Sequence, residues 1–306
     1  MNKMRYQIFK GRLLRDKWLY LFLIPFLLWY ILFAYAPMYG LQIAFKDYNL
    51  FQGITESPWI GFEHFRDFFT GPYFWRLLFN TVIISMMNLV FAFPLSIVFA
   101  FMLNEVKNKR FKKTVQTVTY LPYFISIVVV AGIVTSFLAP TNGIINVLLS
   151  KLGHEKIYFL MQEEYFRWIY LFMNIWKDTG YNSIVYIAAL AAVDGELYEA
   201  AAIDGAGKFR QMLHVSLPGI LPTIVIMFIL KVGTIMEVGY ESIILLYQPA
   251  TYSTADVIST YVYRTGLVDG KYDYATAVGL FNAVIALILV WTTNRLSNRI
   301  AETGLW

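Results

Sequence analysis

Apolar residues run in long blocks along this chain, and charged residues gather between them. Six blocks stand out, at roughly 18–39, 76–103, 114–138, 166–193, 219–246 and 274–296. The hydrocarbon core of a bilayer is crossed by about 20 apolar residues rising about 1.5 Å each. Every block reaches that length, so the pattern predicts six transmembrane helices and an all-α membrane protein. The second block is longer than a bilayer requires and is expected to tilt or to extend beyond the lipid. The longest stretch outside the blocks, residues 40–75, is too short for a soluble domain of useful size. Residues 1–306 are therefore read as one membrane domain.

Charge sets the orientation. Lys3, Arg5, Lys10, Arg12, Arg15 and Lys17 precede the first block, and Lys107, Lys109, Arg110, Lys112 and Lys113 separate the second from the third. Arg295 and Arg299 follow the last. The alternate connections are poorer in Lys and Arg for their length and carry Asp and Glu. Lys and Arg accumulate on the cytoplasmic side, which puts both termini and the loop at about 194–218 in the cytoplasm. The formal charge of +5 then reflects topology and contact with anionic membrane lipids, and nucleic acid is not expected as a partner. Composition agrees with a life in lipid: 58% of residues are hydrophobic, mean hydropathy is +0.55, and only 15% are charged, against about 25% in soluble domains. The absence of cysteine excludes disulfides, thiolate metal sites and cysteine nucleophiles. His64, His154 and His214 are dispersed, so a His-ligated metal cluster is not expected. The first block follows a basic segment, as in a signal peptide. It exceeds the usual apolar core of one and no small-x-small cleavage site follows, so it is read as an uncleaved span. Trp18, Trp29, Tyr35 and Tyr39 suit anchoring at the membrane interface.

The loop at 194–218 contains EAAAIDGAGK, whose GAGK invites a nucleotide reading. A phosphate loop needs G-x-x-x-x-G-K-[ST] after a buried strand. Here Ala202 stands where the first glycine belongs, Phe209 follows Lys208 in place of a hydroxyl, and the preceding segment is Ala-rich and helical. A dinucleotide G-x-G-x-x-G fails at Arg210. The residues instead predict a helix through EAAA, ended at Asp204-Gly205, since glycine readily takes the left-handed conformation of a helix end. A second short helix over about 206–214 is expected to follow, with Leu217-Pro218 and Leu221-Pro222 starting the fifth span. Glu199 is a lone carboxylate on a helix of small residues. It either docks a basic residue of a partner or stands solvated while the loop packs on its own bundle.

Glu199-Ala200-Ala201, then Gly205, Val215 and Leu217-Pro218, follows the spacing EAA-x3-G-x9-I-x-LP, with Val215 in place of Ile. This resembles the EAA loop of binding-protein-dependent ABC importer permeases. Val193 to Tyr198 leads into the loop as in the sugar-permease branch. GFEHFRDFFTGPYFWRLLFNT (61–81), ADVISTYVYRTGL (255–267) and ATAVGLFNAVIALILVWTTNRLSNR (275–299) look like carbohydrate permeases that import complex oligosaccharides and polysaccharide fragments. The resemblance implies a type I ABC importer permease fold whose EAA loop is a cytoplasmic coupling helix. It makes Glu199, Ala200, Ala201, Asp204 and Gly205 the ATPase-coupling residues, with Leu217 and Pro218 supporting a hinge into the fifth span. It implies no cofactor in this chain, with ATP and magnesium on a separate ATPase dimer. The other implied partners are a second, similar permease forming a heterodimer, an extracytoplasmic solute-binding protein and an oligosaccharide. The setting is a bacterial cytoplasmic membrane.

Charged groups inside a span cost about 2.5–3.5 kcal/mol each and usually face a bundle interior or a watery path. The fourth block holds Asn174, Trp176, Lys177, Asp178, Tyr181 and Asn182 near its middle. Asn174, Asp178, Tyr181 and Asn182 recur at three- and four-residue steps and are expected on one helix face. Trp176 and Tyr181 suit stacking on pyranose rings, and Asp178 and the asparagines suit vicinal hydroxyls. The bland alternative is interhelical hydrogen bonding and charge neutralisation. In the fifth block, Lys231 is expected to be a structural partner of a carboxylate. Glu237, Tyr240 and Glu241 lie toward the outer mouth, with Glu237 and Glu241 on one face. An intramembrane glycan-processing enzyme would need a compact acid/base or metal set that these dispersed residues do not supply. An ion-coupled secondary sugar transporter would use intramembrane carboxylates but would need no EAA loop.

Overall fold

The computed structural model describes residues 15–300 and 304–305. Lys3, Arg5, Lys10 and Arg12, and with them most of the N-terminal basic cluster, lie outside the described residues. The described chain is helical throughout, and its only β pairing is an isolated antiparallel bridge between Lys46 and Trp59. Among the described residues, four helices are long and apolar enough to cross a membrane. We label the helices in chain order: α1 Lys17–Phe45, α2 Glu63–Thr70, α3 Phe74–Glu105, α4 Lys109–Phe124, α5 Ile127–Phe137 and α6 Glu163–Ala191. The other labelled helices are α7 Gly195–Ile203, α8 Lys208–Gly233, α9 Tyr240–Leu246, α10 Ile258–Tyr263 and α11 Tyr272–Ile300; further helices at Gly53–Glu56, Ile144–Lys151 and Tyr252–Ala255 carry no label. The four long apolar helices are α1, α3, α8 and α11; α4 and α5, bent by 102° at their junction, are long and apolar enough together and make a fifth only if the pair is one span. The remaining block, the fourth, corresponds to α6, 29 residues long but too polar to stand out by hydropathy.

Two expected elements differ in the structure. The third block is not one straight helix. It is interrupted at Leu121-Pro122, where the chain tightens into a 3-10 turn, and Ser126 then caps α5 by accepting the Val129 N–H at 3.4 Å. The fifth block is broken as well. Helix α8 ends at Gly233, the chain turns through Thr234–Gly239, and α9 begins at Tyr240. In the other direction, the expected break between a short helix and Leu217-Pro218 is absent, and α8 is continuous for 26 residues from Lys208. A π turn at Met212–Ser216 makes this possible. Proline lacks an N–H and its ring clashes with the carbonyl four residues earlier, and a wider turn relieves that clash. The same device recurs: π turns at Ile31–Tyr35, Asn88–Ala92 and Met212–Ser216 each end two residues before a proline, at Pro37, Pro94 and Pro218.

Helix α6 is the centre of the bundle. It packs on α3, α4 and α8 and buries Phe166, Tyr170, Met173, Tyr186 and Leu190. Its crossing with α4 is made at Gly180, where a Cβ would lie 2.2 Å from the Thr119 carbonyl oxygen. Only glycine permits that approach. Gly219 of α8 plays a similar part, since a Cβ there would meet Val193 at 2.8 Å. Helix α1 is the opposite case. From Lys17 to Tyr30 none of its residues is buried, and the Tyr39–Phe45 turn at its end, where Ala44 is buried, meets α11.

Candidate translocation path and coupling loop

Helix α7 is defined at both ends by its own residues. Asp194 caps its start, accepting the Glu196 N–H at 3.0 Å. At its other end Gly205 sits at φ +75°, a left-handed backbone that L side chains rarely adopt. The Ala206 N–H then donates to the Ala201 carbonyl at 2.9 Å, and the Gly205 N–H donates to Ala202 at 3.1 Å. These two bonds satisfy carbonyls that a helix end otherwise leaves bare. A Cβ at Gly205 would meet nothing within 4 Å, so backbone conformation, not crowding, calls for glycine here. The side chain of Gln211 donates to the Ala206 carbonyl at 3.0 Å, and Tyr198 and Ser216 share a hydroxyl hydrogen bond at 2.9 Å. The loop is thereby fastened to the start of α8.

Of the predicted coupling residues, Glu199, Ala200, Asp204 and Gly205 are exposed and Ala201 is half-buried. Glu199 forms no ion pair within 4.0 Å with any of the described residues. Ile203 is 87% exposed and Phe209 69%, so the loop presents apolar side chains beside that carboxylate. Leu217 and Pro218 lie within continuous helix, just after the π turn at Met212–Ser216, with no break in the chain's winding at that point.

At the other end of α8 a cavity of about 430 Å³ opens between α3, α6 and the broken fifth segment. Asn174, Asp178 and Asn182, at four-residue steps on α6, form one wall. Lys231 and Glu237 face them from the end of α8 and the turn after it. Asn174 donates to the side-chain oxygen of Asn88 at 3.2 Å. Thr179 contributes a buried hydroxyl with no hydrogen-bond partner, a group that a polar visitor would satisfy.

The remaining predicted path residues lie elsewhere. Tyr181 does not share the cavity face with its neighbours. Its ring stacks on Tyr123 at 3.6 Å with 4° between planes, against the α4–α5 bend. Lys177 leans over the same Tyr123 ring at 4.8 Å and pairs with Asp178 at 3.2 Å. Trp176 points out of the bundle, 46% exposed. Tyr240 and Glu241 lie beyond the break in the fifth segment, where Tyr240 stacks on Tyr263 and its hydroxyl donates to Glu241 at 3.4 Å. The same break separates Glu241 from Glu237, which alone of the three lines the cavity. Lys231 has no carboxylate within 4.0 Å among the described residues, contrary to the expected structural pairing. The sequence reading overlooked Ser85, Asn88 and Ser96, which line the cavity from α3. Their signal is weak but physical: single small polar residues in a long apolar run face protein or water more often than lipid.

Comparison with known proteins accords with this architecture. Residues 92–302 match the family model described as "Binding-protein-dependent transport system inner membrane component". The chain is 44% identical to protein LplB of Bacillus subtilis (strain 168) over 292 residues, which are 95% of this chain and 92% of that protein. It is 45% identical to the polygalacturonan/rhamnogalacturonan transport system permease protein YteP of the same organism, over 96% of this chain and 92% of that protein. A crystal structure of a bacterial alginate ABC transporter in complex with an alginate pentasaccharide-bound periplasmic protein contains a chain that superposes with a TM-score of 0.90 at 48% identity. The superposition covers 96% of this chain and 99% of that one. The pattern of apolar crossings, the capped loop and the polar cavity thus sit in a known lineage: this chain belongs to the family of inner-membrane components of binding-protein-dependent transport systems.

Proposed function

We propose that this chain is the permease subunit of an ATP-driven importer of oligosaccharides or polysaccharide fragments, working with a second, similar permease as a heterodimer. One observation carries the mechanism. Helix α8 runs unbroken from the coupling loop to the cavity, with Tyr198 fastened to its first turns and Lys231 on the cavity wall at its last. Twenty-six residues span about 39 Å, so a push on α7 is delivered to the cavity by a rigid rod. In this reading α7 faces the cytoplasm, as do both termini, and docks on an ATPase dimer that holds ATP and magnesium. Glu199 meets a basic residue of that ATPase, flanked by the exposed Ile203 and Phe209. This chain itself binds no cofactor. An extracytoplasmic binding protein delivers the glycan to the opposite side. ATP-driven closure opens the cavity outward, the glycan enters against Asn174, Asp178 and Asn182, and hydrolysis resets the bundle. The names of the relatives, which transport polygalacturonan, rhamnogalacturonan and alginate, support a carbohydrate cargo.

The test is purification of this chain from its native membrane with identification of what comes with it, followed by ATPase assays with binding protein and a panel of oligosaccharides. The expected result is a second permease, an ATPase and hydrolysis stimulated by a glycan. A chain that purifies alone and moves sugar on an ion gradient would overturn the reading.

A further inference from the structure

The end of the bundle opposite α7 carries a second cavity, of about 700 Å³, between α2, the start of α3 and the segment running from Tyr252 to Tyr274. Its floor is an uneven ion cluster. Asp256 is fully buried, takes both terminal nitrogens of Arg264 at 3.2 and 2.8 Å, and accepts the Thr260 hydroxyl at 2.8 Å. Burial alone would lower the pKa of Arg264, but the hydrogen bonds and charge of Asp256 hold it above its ordinary value. That carboxylate is committed to Arg264. Arg76 reaches it only through Nη2 at 3.4 Å, and Arg76 Nε is buried with no hydrogen-bond partner. Two guanidinium groups therefore share one carboxylate, which leaves one positive charge and one N–H without an acceptor.

Taken with Asp67, Asp269, Asp273 and Lys271, acidic and basic side chains around this cavity come close to balance, so the unmet charge is local to Arg76. Asp273 accepts the backbone N–H groups of Tyr48 and Tyr274 and lies 3.4 Å from His64. Asp67 and Asp269 are exposed at the rim, and so is Lys271. Tyrosines furnish the walls: Tyr73 lies against Arg76 at 4.9 Å, and Tyr252 and Tyr261 lie against Arg264 at 4.9 and 5.8 Å. The group that completes the floor must bring acceptor oxygens and a negative charge. The group that fits the walls and rim must bring a ring with an apolar face and hydroxyls for the carboxylates. An acidic sugar has all of these; a phosphate lacks the ring and a neutral sugar lacks the charge.

We propose that this cavity is a second glycan subsite, remote from the central one, in which Arg76 binds the carboxylate of a uronic acid residue and Tyr73 packs on its ring. The inference rests on the oligosaccharide-import reading and adds a requirement to it: the glycan carries carboxylates.

The test uses the assembled importer in lipid nanodiscs without its binding protein. A galacturonate trisaccharide and its carboxyl-reduced counterpart are titrated by calorimetry. The acidic trisaccharide is expected to bind, Arg76→Gln to weaken it by about tenfold or more, and the neutral one to bind poorly to both proteins. Because Arg76 touches Asp256, Tyr73→Leu serves as a second variant: that side chain is exposed and meets the ion cluster only through its ring face on Arg76, with no hydrogen bond to it, and its loss is expected to weaken the acidic sugar by a smaller factor. Equal affinity in all three proteins, or equal binding of the neutral sugar, would overturn the proposal. So would loss of binding-protein docking in Arg76→Gln with uronate affinity intact, which would make the cavity a socket for a protein carboxylate. ATP-driven uptake into vesicles separates the two levels: uptake unaltered in both variants removes the subsite and leaves the importer, whereas no glycan uptake by the wild type removes both.

Discussion

Helices α1 and α6 are each 29 residues long, and they solve opposite problems. No residue of α1 from Lys17 to Tyr30 is buried by the rest of the chain, and every side of that stretch is apolar. Helix α6 buries eight residues, carries Lys177, Asp178 and two asparagines in its middle, and is enclosed by α3, α4 and α8. Hydropathy records what surrounds a helix. A helix left to lipid or to another protein must be apolar all round, whereas one enclosed by its own chain is free to turn a polar face inward. The more hydrophobic helix is thus the easier one to find in the sequence and the less informative about what the protein does.

The largest effect that tests this contrast is a glycine change. Gly180→Val on α6 is expected to cost about 3 kcal/mol, because a side chain would drive into the Thr119 carbonyl. Gly40→Ala at the end of α1 meets nothing within 4 Å and is expected to stay within about 0.5 kcal/mol. Thermal unfolding in detergent reads both, and equal midpoints would refute the enclosure of α6. Next is the loop that follows α6. Gly205→Val opposes a φ of +75° at a cost of about 1–2 kcal/mol, and it is expected to lower uptake per ATP hydrolysed while the chain still inserts. A wild-type ratio in that variant would show that the turn does not matter to coupling. Asp178→Asn keeps the shape of the cavity wall but leaves Lys177 without its partner. Its expected signature is a several-fold change in the sugar dependence of uptake, with ATPase binding retained; an unaltered dependence would make the Lys177–Asp178 pair structural. The smallest effect belongs to α1, where Leu27→Ala and Leu28→Ala, both half-exposed, should shift stability by no more than about 0.5 kcal/mol each. If the second permease no longer co-purifies with either variant, that face of α1 belongs to a protein neighbour and not to lipid.

Much of this molecule was legible in the order of its residues. The apolar blocks marked its long helices, and Asp204-Gly205 marked the end of α7 because one backbone conformation favours glycine there. The spacing of Asn174, Asp178 and Asn182 put three residues on one face, and all three line the cavity. Tyr181 fits that periodicity equally well, yet the neighbouring α4–α5 bend captures its ring. A helical wheel gives a direction but not what waits in that direction. The break after Gly233 was hidden because Thr234–Gly239 stays apolar enough to pass for span, and Gly180 was hidden because its role is a close approach to a residue 61 positions earlier. The α8 continuity was missed for a local reason: Leu217-Pro218 reads as a helix start unless a wider turn is placed ahead of it.

That wider turn has a consequence for how the chain tolerates changes in length. A π turn holds one residue more than the α turn it replaces. Dropping a residue within Met212–Ser216 would restore the ordinary winding and leave the helix faces before and after it aligned as they are, although the wider turn ahead of Pro218 would be lost. Dropping one elsewhere between Lys208 and Lys231 would swing Lys231 about 100° around the helix axis relative to the loop. The same arithmetic holds at Ile31–Tyr35 and Asn88–Ala92. At these three places the chain can lose a residue without rephasing what lies beyond.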